Sequence, residues 1–97
     1  MQIFIDTEFT SLTRDAQLIS FGAVSEDGRE FYCEIAPVPV AACSAFVRES
    51  VLPLFEGGTA SCPHPEFGAR LAGWLSHFDD PMLLSDSDWD IYVVRHA

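Results

Sequence analysis

The sequence predicts an α/β fold built on a mixed β-sheet and formed by a single domain, residues 1–97. Three strand-like segments open the chain, and two stretches with helical periodicity follow them. An apolar segment, residues 82–85, comes next and precedes a second run of acids. The predicted order is β-β-β-α-α-β-α, and the hydrophobic share of 48% is enough for a packed core.

The first strand is predicted over residues 2–6 and leads into two carboxylates. Because successive side chains of a strand point to opposite faces, Asp6 and Glu8 share one face and Thr7 takes the other. Two acids held this close at a strand end repel each other unless a cation lies between them. Hard divalent cations such as Mg²⁺ prefer oxygen ligands. The pattern therefore predicts a metal site at the end of the first strand, whereas a solvated strand end is the simpler alternative.

The second and third strands are predicted to pair as an antiparallel hairpin. Residues 17–24 and 29–35 both have the composition of strands, and Asp27-Gly28 lies between them. This dipeptide is the strongest short hairpin signal in the chain.

Two helices are predicted after Pro37 and Pro39, which end the third strand. Residues 41–55 carry an expected core-facing stripe of Cys43, Phe46, Val47, Ser50, Val51 and Leu54. Residues 57–61 are predicted to form a loop. Residues 65–78 carry a second stripe of Phe67, Leu71, Trp74, Leu75 and Phe78.

The fourth strand follows a helical crossover, which predicts that it runs parallel to the first strand and beside it. Its carboxyl end leads to Asp86, Asp88 and Asp90, which would then meet Asp6 and Glu8 at one edge of the sheet. Three or four converging carboxylates can hold two Mg²⁺ ions about 3.5–4 Å apart, as in phosphodiester cleavage.

Other interpretations of the second acidic cluster are open. Asp86, Asp88 and Asp90 could instead cap a helix or stabilise its first turn. A calcium-binding EF-hand loop is excluded, because Ile91 stands where that loop requires Gly and Ala97 where it requires Glu.

The ordered set of motifs resembles the DEDD-type 3′-5′ exonucleases, which include proofreading domains, oligoribonuclease and ribonuclease T and have a ribonuclease H-like fold. Ile5-Asp6-Thr7-Glu8-Phe9 is similar to their first motif, and Trp89-Asp90-Ile91 to the aromatic-Asp pair of their second. Further segments resemble a small bacterial exoribonuclease-like branch: Leu18-Ile19-Ser20-Phe21-Gly22, Asp27-Gly28-Arg29-Glu30-Phe31-Tyr32, Phe46-Val47-Arg48, Val51-Leu52-Pro53 and Ser85-Asp86-Ser87.

This resemblance implies roles for three acids. Asp6 would bridge two Mg²⁺ or Mn²⁺ ions, Glu8 would bind the ion on the nucleophile side, and Asp90 would hold the second ion. Asp88 and Asp86 are alternatives to Asp90. The family's third motif, a general-base His followed by a fourth acid, has no counterpart before Ala97. We therefore expect a ribonuclease H-like sheet that lacks its last strand and helix, with one edge uncovered.

The net charge of −10 argues against broad electrostatic binding to duplex nucleic acid. It is compatible with a narrow pocket in which bound metals carry the positive charge. The sequence shows no secretion signal and no apolar run long enough for a membrane span, which predicts a cytoplasmic protein without a membrane partner. Cys33, Cys43 and Cys62 form no C-x-x-C pair and are expected to be reduced thiols.

The expected function is metal-dependent 3′-5′ exonuclease activity. The resemblance implies hydrolysis at the 3′ end of short single-stranded nucleic acid, with RNA preferred, by a metal-activated water. The alternative is a catalytically inactive remnant that acts as an acidic protein-binding module. In either case the uncovered sheet edge could pair two copies of the chain into a homo-oligomer.

Overall fold

The computed structural model describes residues 1–85 and shows a mixed α/β architecture. Its sheet has five strands in the order β4-β3-β2-β1-β5. The arrangement is compatible with a ribonuclease H-like fold, as the sequence predicted. The strands are β1 Gln2–Phe9, β2 Leu18–Ser25, β3 Glu30–Ala36, β4 Ser61–Pro63 and β5 Met82–Leu84.

Strand β1 separates a buried face from a solvent-facing one. Ile3, Ile5 and Thr7 are buried, whereas Asp6 is exposed and Glu8 partly exposed. This alternation confirms that the two carboxylates share a face. The predicted end of the strand at residue 6 was wrong, because pairing with β2 continues as far as Phe9. The two acids therefore lie within the ladder, where backbone hydrogen bonds hold them more firmly than a loop would.

The predicted hairpin between β2 and β3 is confirmed. The two strands pair antiparallel, and the Ser25 N–H donates to the Arg29 carbonyl at 2.9 Å to close the turn. Gly28 has φ of 88°, a conformation that glycine adopts without steric penalty. Arg29 binds Asp27 at 2.7 Å. The hydrogen bonds from Arg29 and Ser25 lower the pKa of Asp27 to about 2.

The segment predicted as one helix over residues 41–55 is broken into short turns. A 3-10 turn covers Val40–Ala42, a π-helical turn covers Val47–Val51, and a 3-10 turn covers Leu52–Leu54. We refer to the last two turns together as the helical segment, residues 47–54. The predicted single stripe was partly wrong, because only a narrower strip of it reaches the core.

Cys43, Val47 and Val51 are buried and pack against Ile19 of β2. Of the other members of the predicted stripe, Phe46 is 69% exposed, Leu54 is 78% exposed and Ser50 is also exposed. The helical segment therefore contacts the sheet along one line and turns a second line of side chains outward.

The second predicted helix is confirmed as α1, His64–Leu75. It packs against β3 and β4. Phe67, Leu71 and Phe78 of its predicted stripe are buried in the main core, and Trp74 and Leu75 pack against them. At the centre of this core, Phe21 contacts Phe67 edge to face with ring centroids 5.4 Å apart.

Strand β4 begins at the end of the predicted loop, and its pairing has no counterpart among the predicted strands. It runs parallel to β3, with Ile35 opposite Cys62. Three residues ending in proline carry no strand signal of their own, so this strand exists through its partner. Cys33, Cys43 and Cys62 are all free and buried, as predicted for reduced thiols. Burial raises the pKa of Cys33 to about 12.

Strand β5 confirms the predicted crossover. It runs parallel to β1 and beside it, with Ile3 opposite Leu83 and Phe4 opposite Leu84. The predicted metal ligand Asp90 and its alternatives Asp88 and Asp86 lie outside the described residues, as does the last predicted helix. Between residues 1 and 85, no helix has the length and apolar character needed to cross a bilayer.

Candidate functional site

The candidate site is the solvent-facing side of the central strands, around Asp6 and Glu8. In the register of the sheet, Asp6 lies opposite Gly22 of β2, and Glu8 lies opposite Ser20. On β3, Gly22 lies opposite Tyr32, and Ser20 lies opposite Glu34. The sheet thus places two rows of side chains across its face, each of which begins with a carboxylate on β1.

A cavity of about 470 Å³ lies over these two rows. The strands contribute the carboxylates of Asp6 and Glu8 and the hydroxyl of Ser20, whereas the residues between 46 and 55 contribute mainly apolar groups. The lining consists of Asp6, Glu8, Ser20, Gly22, Tyr32, Phe46, Ser50, Val51, Leu54 and Phe55. The site therefore combines acidic oxygens with large flat and branched apolar surfaces, and a mainly apolar lining with a few polar groups is typical of pockets for small ligands.

Phe46 and Leu54 illustrate why the stripe prediction failed. They occur at helical spacing with the buried Val47 and Val51, yet both line the cavity beside the acids. Sequence periodicity alone cannot distinguish a side chain that faces the core from one that faces a site next to the core.

Among the described residues, Asp6 has no ion-pair partner. Across residues 1–85, Arg29 is paired with Asp27 and Arg70 with Glu66, and no ion pair reaches Asp6. Within residues 1–85, an exposed carboxylate that shares a strand face with a second carboxylate and has no ion pair to a basic side chain fits a site that binds cations.

Two of the described side chains have the chemistry of metal ligands. Two carboxylates of the type that Mg²⁺ and Mn²⁺ prefer lie on one face and line one cavity. Within residues 1–85, no group of three or more His, Cys, Asp or Glu side chains is placed to hold an ion. The carboxylate oxygens of Asp6 and Glu8 are thus suitable ligands for such an ion. Further oxygen ligands are needed to complete its coordination.

A buried carboxylate lies beside the cavity, and no sequence motif points to it. Glu34 is 2% exposed and accepts three hydrogen bonds. The donors are the hydroxyl of Tyr32 at 2.7 Å, the backbone N–H of Glu56 at 2.7 Å and that of Gly57 at 2.8 Å. Burial by itself raises the pKa of Glu34, but these three hydrogen bonds outweigh it, so that the pKa lies below its ordinary value.

Tyr32 shares this hydrogen-bond network and lines the cavity. Burial raises the pKa of its hydroxyl well above the ordinary value, and the hydrogen bond to Glu34 raises it further. The hydroxyl therefore remains protonated and donates to Glu34. The one sequence signal for this arrangement is the period-two spacing of Glu30, Tyr32 and Glu34, which places the three on one face of β3.

Two glycines shape the loop that reaches Glu34. Gly57 has φ of 66° with ψ of −157°, and Gly58 has φ of 57°. The first of these conformations is essentially restricted to glycine. It lets the loop turn so that the N–H groups of Glu56 and Gly57 both point at the carboxylate.

We expect Gly57→Ala to lower the free energy of unfolding by about 1–3 kcal/mol, because a Cβ is strained in that conformation. Thermal or urea unfolding would measure the change. Gly68→Ala is the matched control. Gly68 lies in α1 with open space where a methyl group would be added, so its replacement should raise stability by about 0.4–1 kcal/mol. Equal effects of the two substitutions would contradict a special role for the Gly57 backbone.

Comparison with known proteins gives a partial match. The chain is 42% identical over 53 residues to 3′-5′ exoribonucleases of two Mycobacterium tuberculosis strains, CDC 1551 / Oshkosh and H37Rv. The matched stretch is 55% of this chain and 32% of each relative, so it spans about a third of the relatives' length. No protein-family model matches the chain. This partial similarity supports a nuclease function in general.

Proposed function

We propose that this chain carries the first two carboxylates of a divalent-metal-dependent 3′-5′ exonuclease, which acts on the 3′ end of short single-stranded RNA. The observation that carries the proposal is that Asp6 and Glu8 share one face of β1 and line one cavity. The partial similarity to 3′-5′ exoribonucleases supports the direction of cleavage and the choice of RNA.

The residues have distinct tasks in the proposed reaction. Asp6 and Glu8 would hold Mg²⁺ or Mn²⁺, which supplies the positive charge that offsets the negative charge developing on the scissile phosphate. Backbone pairing of β1 with β2 fixes these carboxylates before substrate arrives. Asp90, with Asp88 and Asp86 as alternatives, remains the proposed source of the next ligand.

The apolar part of the cavity suits the rest of the substrate. Phe46 and Leu54 offer exposed hydrophobic surface next to the acids, where the sugar and base of a terminal nucleotide would lie. Their contact with the nucleotide would also exclude water from the side of the reacting phosphate. A site of this size accepts the end of a flexible single strand more readily than a stiff duplex.

The test is cleavage of a short, 5′-labelled single-stranded RNA by the chain in Mg²⁺ or Mn²⁺, with and without a chelator. We expect a ladder of products that shortens from the 3′ end and disappears in chelator. The melting temperature should also rise with added Mn²⁺, because an ion that binds only the folded chain stabilises it. The proposed site is overturned if the chain shows neither cleavage nor a metal-dependent rise in melting temperature.

The same experiment addresses the alternative function, an inactive acidic module that binds a protein partner. That module would show no cleavage and no response to Mn²⁺.

The proposed homo-oligomer would form through an edge of the sheet and is tested by a separate experiment. In the described residues β4 and β5 form the two edges of the sheet. Sedimentation of the chain would show whether copies associate.

A further inference from the structure

We infer that Glu34 is a positioning residue, which holds two aromatic walls of the cavity in place, and that the ring of Tyr32 contacts a nucleobase of the substrate. This inference rests on the proposed function, because the cavity is taken to receive a nucleotide. It gives roles to Glu34 and Tyr32, two residues outside the acidic motifs.

Glu34 is linked directly to Tyr32. One carboxylate oxygen of Glu34 accepts the Tyr32 hydroxyl at 2.7 Å. Tyr32 is nevertheless 45% exposed, so its ring is held at one end and open to the cavity along its side. A half-exposed ring with a fixed orientation loses little conformational freedom when a ligand stacks against it, which favours binding.

Glu34 is also linked to the backbone of the neighbouring loop. The same oxygen accepts the N–H of Glu56, and the other oxygen accepts the N–H of Gly57. Phe55, the residue just before these two amides, also lines the cavity. Glu34 therefore fixes Tyr32 directly and fixes the backbone that carries Phe55.

Gly22 lies between Asp6 and Tyr32 in the register of the sheet and leaves a gap there. A Cβ at Gly22 would lie 3.7 Å from the Tyr32 ring and 3.7 Å from the Asp6 carbonyl oxygen. Because glycine has no side chain there, no side chain of β2 separates the ring from the strand that carries the acids. A base against Tyr32 would belong to a nucleotide whose phosphate is near Asp6 and Glu8.

Stacking on a ring requires a flat face and no particular hydrogen-bonding edge, and every base has such a face. The chemical class of ligand is therefore the unpaired base at the end of a single strand, with little preference for its identity. A base that is paired and stacked within a duplex would have to leave its neighbours to reach Tyr32.

The test compares binding and cleavage for Tyr32→Ala, Tyr32→Phe and Glu34→Gln. Binding of a 5′-fluorescein-labelled single-stranded RNA is measured by anisotropy in Ca²⁺, and KM and kcat are measured separately in Mn²⁺. We expect Tyr32→Ala to weaken binding about tenfold, in line with the loss of one aromatic stacking contact. Its KM should rise more than its kcat falls. Tyr32→Phe keeps the ring and should restore most of the affinity.

Glu34→Gln is expected to weaken binding through the two walls and not by contact with RNA. Combined with Tyr32→Ala, it should weaken binding by less than the product of the two separate factors, because both changes remove the same wall. Glu30→Gln, on the same face of β3 and exposed, is the matched control and should leave binding unchanged. Circular dichroism at the assay temperature ensures that only folded variants are compared.

The outcomes separate this inference from the proposed function. If the wild-type chain binds RNA and Tyr32→Ala binds it equally well, the inference is wrong and the proposed function stands. If the two substitutions weaken binding by the full product of their factors, Glu34 does not act through Tyr32. If the wild-type chain neither binds nor cleaves RNA, the proposed function fails and the inference fails with it.

Discussion

Replacing Asp6 by Asn is expected to reduce the rate of RNA cleavage by at least about a hundredfold, the usual effect of removing one group that stabilises developing charge. Asn keeps the size of the side chain and one oxygen but loses the negative charge that attracts a divalent ion. Asp6 is exposed on the face that lines the cavity, so the substitution disturbs no core contact. The loss of rate would therefore reflect the site and not the fold.

Three measurements make this expectation specific. The melting temperature of Asp6→Asn in chelator should stay at the wild-type value or rise slightly, because the repulsion from Glu8 is relieved. In excess Mn²⁺ the wild-type chain should gain up to about 2.7 kcal/mol of stability at a concentration of about 100 times Kd, and the variant should gain much less. Asp15→Asn makes the same change of charge on an exposed loop and should leave both cleavage and the Mn²⁺ response intact.

A full rate in Asp6→Asn would remove this acid of β1 from the mechanism. A rate lost equally in Asp15→Asn would point to net charge as the cause. Loss of cleavage with an unchanged Mn²⁺ response would place ion binding elsewhere in the chain, and Glu8→Gln would then be the next variant to measure.

Sequence patterns predict the structure well where one local feature determines it. The alternation through Ile3, Ile5 and Thr7 suffices to place Asp6 and Glu8 on one face of β1. The Asp27-Gly28 turn sets the hairpin, and the stripe of Phe67 and Leu71 sets the buried side of α1. Each of these features depends on residues that are close together in the sequence.

Such patterns fail where a partner distant in sequence decides the outcome. Cys62 belongs to a strand only because Ile35 lies beside it, and no property of residues 61–63 predicts that pairing. Phe46 and Val47 are adjacent and both apolar, yet one lines the cavity and the other is buried against Ile19. Their difference arises from how the helical segment lies across the sheet.

The hydrogen-bond network of Glu34 and Tyr32 beside the cavity could not be predicted from the sequence for a similar reason. A buried glutamate is rare unless it is paired or hydrogen-bonded, so the sequence alone favours an ordinary exposed residue at Glu34. Its donors are Tyr32 and two backbone amides of a distant loop, those of Glu56 and Gly57, which follow Glu34 by 22 and 23 residues. Only the folded chain brings them together.

Glu34→Ala is expected to lower the free energy of unfolding by about 3 kcal/mol, because it removes a buried carboxylate that accepts three hydrogen bonds. In a domain of this size the melting temperature should fall by about 12–24 °C. Glu30→Ala, on the same face of β3 but exposed, is the control and should change stability by no more than about 0.5 kcal/mol. Thermal unfolding followed by circular dichroism measures both.

The pH dependence of this difference identifies the charge as its source. The hydrogen bonds hold the pKa of folded Glu34 below its ordinary value of 4.5, so its contribution to stability is fully present well above that pH. As the pH falls from about 4.5 through the lower folded-state pKa, the folded chain must take up a proton that the unfolded chain already holds, and the contribution is lost. Subtracting the Glu34→Ala curve from the wild-type curve removes the titration of the other acids. We expect the remaining difference to shrink in acid, and a difference that is equal at about pH 7 and about pH 3 would show that Glu34 stabilises the fold by packing and not by its charge.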